Sequence, residues 1–195
     1  MAQALLFCGP RGVGKTSCAR ILAKKINSQD KNDSNEDFAF NIFELDAASN
    51  NSVDDIRSLN DQVRIPPQVG THKIYIIDEV HMLSIGAFNA FLKTLEEPPK
   101  HVIFILATTE KQKIIPTILS RCQTYDFKRI SVKDCKAHLE TIAKVQKIEF
   151  DDESLDLIAQ KADGALRDAL TIYDRMVSFT NRSLTVKSVS ENLNI

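Results

Sequence analysis

The feature that most constrains the fold of this chain is the glycine-rich loop at residues 9–16, which matches the pattern G-x-x-x-x-G-K-[ST]. An apolar run, Ala4–Cys8, precedes the loop and predicts a buried strand, and residues 17–27 after it predict a helix. This context distinguishes a phosphate-binding loop from a glycine-rich turn that matches by chance. Backbone N–H groups of such a loop surround a polyphosphate, and the following helix directs its positive end at the anion. The predicted phosphate-binding residues are Gly9, Pro10, Arg11, Gly12, Val13, Gly14, Lys15, Thr16 and Ser17.

Four later segments predict further strands, and segments between them predict helices. The strands are almost continuously apolar, as in residues 74–77 and 102–106. Such runs are typical of parallel strands whose sheet is covered by helices on both faces. The sequence therefore predicts an α/β fold in which helices sandwich a parallel five-stranded sheet. The predicted strands are Ala4–Cys8, 41–46, Lys73–Asp78, Val102–Thr108 and 123–127, and the predicted helices include Val53–Val63, capped by Ser52, and 85–97, capped by Ser84.

The character of the sequence changes after Arg129. Four short helices are predicted there, and no further strand. We therefore expect a nucleotide-binding domain at residues 1–129 and a small all-helical domain at residues 130–195. Residues 28–37 crowd five charged residues together and are predicted to form a mobile loop. The four predicted helices of the second domain are 131–147, 152–162, 165–179 and 185–193.

Composition narrows the function classes. The net charge of −1 gives no general argument for nucleic-acid or membrane affinity. No apolar run approaches the roughly 20 residues of a membrane span, and the residues before the first strand do not resemble a signal peptide. We therefore expect a reduced, cytoplasmic protein. Because the cysteines form no C-x-x-C pair, we expect no zinc site; they are Cys8, Cys18, Cys122 and Cys135.

Two consecutive acids, Asp78 and Glu79, end the third predicted strand. Parallel sheets bind their ligands at this end of the strands. Asp78 and the Thr16 hydroxyl are predicted to hold Mg²⁺, while Lys15 lies along the β- and γ-phosphates. Glu79 is predicted to polarise a water for attack on the γ-phosphate, as a general base. The alternative, an acidic turn after a strand, is disfavoured by the phosphate loop earlier in the chain.

Polar residues elsewhere in the sequence are further candidates for the nucleotide site. A hydroxyl of Thr108 or Thr109, after the fourth strand, could bond the attacking water and the γ-phosphate, although β-branched residues also favour strands for packing. Arg121 is either a solvated surface arginine or one that faces a neighbour's γ-phosphate. Arg167 is predicted in the first turn of a helix, where the helix dipole disfavours a cation and an anionic partner is therefore expected.

The order and spacing of these motifs resemble a known family, the AAA+ clamp-loader ATPases, and within it the gamma/tau type of bacterial DNA polymerase III. The resemblance covers the chain from the first strand almost to residue 195. It implies a motor that uses ATP and Mg²⁺ to open a sliding clamp and place it on primed DNA, together with other clamp-loader subunits. The motifs are residues 9–16, 44–49, 77–83, 91–99, 107–110, 118–122 and 164–170.

The same resemblance implies roles for three polar residues. Thr109 corresponds to the first sensor, and Arg167 corresponds to a second sensor that acts from the helical lid on the ATP of its own subunit. Arg121 corresponds to the finger that completes the adjacent subunit's site. It is therefore expected at the surface of an isolated subunit, without a required partner.

Three departures from the family pattern qualify these expectations. Family members usually carry a cysteine-rich zinc module between the first helix and the second strand, where this chain has only residues 28–37. We expect the chain to lack the segment upstream of the first strand that helps to hold adenine in the family. We also expect it to lack the family's third helical domain, the collar that assembles the ring. We therefore expect an isolated chain to be monomeric, and its own turnover stays open.

Three other interpretations stay open. The D-E-x-H sequence at residues 78–81 suggests a helicase, but that class needs two sheet domains. A small-subunit type of replication factor C shares the Ser-Arg-Cys motif, although residues 96–99 favour the bacterial form. A stator-like clamp-loader subunit would bind partners without hydrolysis. The intact Lys15 and Glu79 argue against it, because such subunits commonly lack a working phosphate loop.

Overall fold

The computed structural model of the chain describes residues 2–28, 38–180 and 182–193. Apart from Ser28, the loop predicted at 28–37 lies outside these residues. Contacts between Cα atoms divide the chain into two compact units. The first comprises Met1–Gly9 with Lys15–Phe127, and the second comprises Pro10–Gly14 with Lys128–Ile195. The domain boundary at residue 129 stays a prediction.

A parallel sheet of five strands forms the centre of the first unit. Its strands are β1 (Ala4–Cys8), β2 (Ile42–Asp46), β3 (Lys73–Asp78), β4 (Val102–Thr108) and β5 (Gln123–Asp126). Their order is β2-β3-β4-β1-β5, and each neighbouring pair is parallel. The helices of this unit are α1 (Lys15–Ser28), α2 (Val53–Val63), α3 (Ile85–Glu96) and α4 (Pro116–Leu119).

Both faces of the sheet are buried, which explains its continuously apolar strands. Successive side chains of a strand point to opposite faces. In β3, Tyr75 and Ile77 pack in one core with residues of α2 and α3, whereas Ile74 and Ile76 pack in another with residues of α1. Phe91 of α3 is fully buried in the first core. The predicted α/β sandwich is therefore confirmed.

Serine side chains cap the N-termini of two of these helices, as predicted. The Ser52 hydroxyl accepts a hydrogen bond from the Asp55 backbone at 3.2 Å, and the Asp55 carboxylate accepts one from the Ser52 backbone at 3.0 Å. This reciprocal capping box begins α2. The Ser84 hydroxyl accepts from the Ala87 backbone at 3.2 Å and begins α3. Each cap satisfies a backbone donor that a helix start otherwise leaves unpaired.

The second unit is the predicted helical domain with one unpredicted addition. A pair of parallel two-residue strands, β6 (Glu149–Phe150) and β7 (Ser183–Leu184), joins its helices. Such short strands carry no alternating pattern that a sequence could reveal. The helices are α5 (Val132–Gln146), α6 (Asp152–Lys161), α7 (Leu166–Phe179) and α8 (Val186–Leu193), with a core of their own that includes Leu139, Leu155, Ile158 and Tyr173. Within the described ranges, no helix is long and apolar enough to cross a membrane.

Candidate nucleotide-binding site

The glycine-rich loop joins β1 to α1 through a backbone that requires glycine at its first position. Gly9 has a φ of 149°, and a Cβ built on it would overlap the carbonyl oxygen of Phe127. Phe127 cannot easily move, because its N–H donates to the Cys8 carbonyl at 2.7 Å. Gly14, near the end of the loop, has a φ of 95°. The loop therefore takes a path that side chains at these positions would oppose.

Lys15 and Thr16 lie in the first turn of α1, which begins two residues earlier than the sequence predicts. Lys15 is 6% exposed, and its Nζ donates to the Gly9 carbonyl oxygen at 2.9 Å. The ammonium is thus held against the start of the loop. At the other end of the predicted set, Ser17 lies in α1 and is exposed, as is Arg11 within the loop, whereas Val13 is buried.

Asp78, the last residue of β3, is brought directly to the start of α1. The Thr16 hydroxyl donates to Asp78 Oδ2 at 2.6 Å, and Asp78 Oδ1 accepts from the Glu79 backbone at 2.9 Å. A hydroxyl and a carboxylate therefore lie together where the sequence predicts both ligands of one ion. Oxygen ligands of this kind suit Mg²⁺. The described residues contain no group of three or more His, Cys, Asp or Glu that could hold a metal ion, and the absence of zinc stays a prediction.

Glu79 follows Asp78 in an unusual backbone conformation. Its φ of 47° and ψ of 42° place it in the left-handed region, which is uncommon for residues other than glycine. Its side chain reaches the end of β4, where the Thr109 hydroxyl donates to Glu79 Oε2 at 3.0 Å. The side chains predicted as the base and the first sensor are therefore in direct contact.

His81 completes this group of side chains and was not among the predicted site residues. Its side chain is 6% exposed, and its Nδ1 lies 3.3 Å from Glu79 Oε2 and 3.0 Å from the hydroxyl of Thr108. On the other side of the ring, Nε2 lies 3.3 Å from Glu110 Oε1. The Lys113 ammonium donates a hydrogen bond to Glu110 and lowers the pKa of that carboxyl. One indication of this residue was present in the sequence, because it is the histidine of the D-E-x-H sequence. The spacing of that sequence does not show which side chains the histidine contacts.

Arg121 lies just after α4 and has partners within its own unit, which the sequence did not predict; whether it needs a partner in an isolated subunit stays a prediction. One terminal nitrogen donates to Glu96 Oε1 at 2.7 Å, and the other donates to the Thr117 carbonyl oxygen at 2.7 Å. The side chain keeps 33% of its surface exposed. Within the described residues it makes no hydrogen bond to the loop at residues 9–16. A finger for another subunit is compatible with this placement.

Arg167 belongs to the second unit, in the first turn of α7 as predicted. Its backbone N–H donates to the Gly12 carbonyl oxygen at 3.2 Å, a contact inside the same unit because Pro10–Gly14 groups with it. The residue is exposed, and its guanidinium makes no hydrogen bond or ion pair to any residue that the structure describes. The guanidinium is thus available to an anion.

Comparison with solved structures identifies the class of fold. RuvB of Thermotoga maritima, described as a Holliday junction branch migration motor, matches with a TM-score of 0.75 and 20% identity over 98% of this chain and 61% of that one. Its K64R mutant matches with a TM-score of 0.76 and 21% identity, over 99% of this chain and 63% of that one. At such identities the likeness shows the fold alone. The fold is that of an AAA+ ATPase, a parallel α/β sheet followed by a helical lid.

Comparison of sequences identifies a family within this class of fold. A family described as "DNA polymerase III, delta subunit" matches residues 1–131, and one described as "DNA polymerase III clamp loader subunit, ATPase lid domain" matches residues 134–182. The tau subunit of Bacillus subtilis is 49% identical over 95% of this chain and 35% of its own length. The tau subunit of Escherichia coli is 44% identical over 98% of this chain and 32% of its own length. The gamma subunit of Buchnera aphidicola (strain Bp) is 42% identical over 98% of this chain and 55% of its own length.

The chain therefore belongs to the clamp-loader family of DNA polymerase III, with relatives of the gamma/tau type. It spans about a third of the length of the two tau subunits.

Proposed function

We propose that this chain is an ATP-binding and ATP-hydrolysing part of a DNA polymerase III clamp loader, which uses ATP to load a sliding clamp on primed DNA during replication. The observation that carries the proposal is the meeting of Thr16 with Asp78 and of Glu79 with Thr109 at the carboxyl ends of β3 and β4. Family membership supports the clamp-loading role. A role in bacterial replication would place the protein in the cytoplasm, with other clamp-loader subunits, the clamp and primed DNA as partners.

The donor set of the site fits a magnesium–nucleotide complex. The loop has an adjoining buried ammonium, and its backbone follows the glycine-dependent path of Gly9 and Gly14. Thr16 and Asp78 offer a hydroxyl and a carboxylate, the oxygen donors that Mg²⁺ prefers. When bound, ATP would supply the γ-phosphate as the electrophile and Mg²⁺ would neutralise part of its charge.

Five side chains then share four tasks. Lys15 would exchange its hydrogen bond to the Gly9 carbonyl for phosphate oxygens, while Thr16 and Asp78 would ligate the metal ion. Glu79 would accept the proton of the attacking water, a general-base role. Thr109 would hold that carboxylate in place through the hydrogen bond already present at 3.0 Å.

Two arginines would act from elsewhere. We propose that Arg167 contacts the nucleotide of its own subunit and that Arg121 contacts the nucleotide of an adjacent subunit. The pairing of Arg121 with Glu96 would hold the guanidinium ready at the surface. In an isolated chain, with no adjacent subunit, the second contact would be missing and turnover would be slow.

Two substitutions test the binding and hydrolysis steps separately. Lys15→Ala should abolish binding of a nonhydrolysable ATP analogue in calorimetry, because it removes the buried ammonium that faces the phosphates. Lys24→Ala, an exposed lysine of the same helix, is the matched control and should bind normally. Glu79→Gln should bind ATP but hydrolyse it on the order of 10²-fold more slowly or worse, since the amide keeps the shape and loses the base.

A specific outcome would contradict each of these expectations. Unchanged affinity in folded Lys15→Ala would refute the phosphate-loop assignment. Full turnover by Glu79→Gln would mean that another group activates the water. Nucleotide binding without hydrolysis by the unaltered chain in a complete assembly would favour the stator-like alternative.

A further inference from the structure

His81 lies between the ends of two strands that carry the proposed catalytic groups. Its Nδ1 faces Glu79, which follows β3, and its Nε2 faces Glu110, which follows β4. The same Nδ1 lies 3.0 Å from the hydroxyl of Thr108, the last residue of β4. One ring therefore contacts three polar side chains from two strand ends. The proposed mechanism assigns this ring no task.

Contacts other than the one with Glu79 also fix the ring. Thr108 is fully buried, and its hydroxyl accepts from the Glu110 backbone at 3.0 Å. The Glu110 carboxylate is held in turn by Lys113, whose Nζ donates to it at 2.8 Å. His81 itself belongs to a short 3₁₀ turn, Val80–Met82, and its side chain is only 6% exposed. The ring therefore has little freedom to change its position relative to β4.

The two carboxylate oxygens of Glu79 have different surroundings. Oε2 accepts from the Thr109 hydroxyl and lies 3.3 Å from His81 Nδ1. Oε1 makes no hydrogen bond to any residue that the structure describes, and the side chain keeps 34% of its surface exposed. One oxygen is thus held from two directions, while the other stays open to a water molecule.

We propose that His81 is a positioning residue that holds the Glu79 carboxylate in the orientation needed for activation of the attacking water. This inference rests on the proposed general-base role of Glu79. In this role His81 would touch neither the nucleotide nor the water, so its loss should lower the rate of hydrolysis and leave the affinity for ATP unchanged. Misplacement of a reacting group by about 1 Å can cost up to ~10²-fold in rate, which sets the expected scale.

Three variants test the proposal through hydrolysis. His81→Ala removes the ring, whereas His81→Asn keeps a side-chain nitrogen near the position of Nδ1 but loses the contact with Glu110. His101→Ala is the matched control, because the one hydrogen bond that this ring makes to the described residues is with the backbone carbonyl of Val63, at 3.0 Å, before the opposite end of β4. Single-turnover hydrolysis, with protein in excess over labelled ATP, is measured beside analogue affinity and thermal stability. His81→Ala should lose about 10- to 10²-fold in rate at unchanged affinity, and His81→Asn should recover part of that loss.

A second measurement does not require hydrolysis. The ring nitrogens of the histidines are followed by ¹⁵N NMR in the unaltered chain and in Glu79→Gln. The substitution should shift the Nδ1 resonance of His81 and leave that of His101 in place. An unmoved His81 resonance would overturn the proposal even if the isolated chain hydrolyses no ATP.

Failure of this inference differs from failure of the proposed function. If Glu79→Gln is inactive while His81→Ala hydrolyses ATP normally, the positioning role is refuted and the general base stands. If Glu79→Gln hydrolyses normally, the general-base function is refuted together with the catalytic role of His81.

Discussion

Two glycines of the same loop should differ sharply in their tolerance of alanine. Gly14 has a φ of 95°, and no atom of the described residues beyond its two chain neighbours lies within 4 Å of a built Cβ. Gly14→Ala therefore meets only backbone strain, about 1–2 kcal/mol. Gly9 also has a disfavoured φ, of 149°, and its Cβ would lie 2.9 Å from the Cβ of Phe127 and overlap that residue's carbonyl oxygen. Overpacking of this kind adds about 1–3 kcal/mol. Gly9→Ala should therefore lose about 2–5 kcal/mol.

The neighbouring strand explains why this overlap cannot be relieved. Phe127 directly follows β5, and its N–H bonds to Cys8 at the end of β1. A shift of this backbone would break the pairing of β1 with β5. Urea unfolding followed by circular dichroism measures both losses against the unaltered chain. Equal destabilisation by the two substitutions would refute the argument, because it would mean that the Phe127 backbone moves freely.

Three further predictions concern other parts of the first unit. The Arg20 guanidinium hydrogen-bonds Glu44 and lowers the pKa of that carboxyl below its ordinary value of 4.5. The ion pair therefore stabilises the folded chain at pH values above 4.5, and this stabilisation is lost as the pH falls through the folded pKa of Glu44. Glu44→Gln should therefore flatten the acid limb of a curve of stability against pH. An unchanged acid limb would contradict this. Burial raises the pKa of Cys122 to about 11, so iodoacetamide at pH 8 should label exposed Cys18 first by mass spectrometry, and the reverse order would contradict the burial. Arg121→Ala should keep the chain's own ATP affinity and slow hydrolysis in a mixed assembly by ~10³–10⁵-fold, whereas an unchanged rate would indicate only a surface ion pair.

Local patterns were sufficient to predict most of the fold. The apolar strands, the capping box at Ser52, the N-cap at Ser84 and the glycine-rich loop each depend on neighbours within a few residues of the chain. Boundaries were less accurate, since α1 begins at Lys15 rather than at residue 17. The β6–β7 pair joins segments more than 30 residues apart, and each strand is too short to show a periodic pattern.

Contacts between distant residues explain what the sequence could not predict at the site. Arg121 and Glu96 are 25 residues apart, and no local pattern connects them. The position of His81 between Glu79 and Glu110 depends on two strand ends meeting in space. The left-handed backbone at Glu79 is likewise a result of the turn that follows β3, since glutamate has no intrinsic preference for it.

The register of β3 against β4 determines which side chain each of Thr108 and Thr109 contacts. Ile77 pairs with Leu106, so the two strands end side by side and their following residues meet. A shift of one residue would turn every side chain of β4 to the opposite face of the sheet. In the observed register, Thr109 donates to Glu79, while the fully buried Thr108 faces His81. Considered as residues alone, the two threonines were equivalent candidates, and only the pairing of the strands assigns one to the carboxylate and the other to the ring beside it.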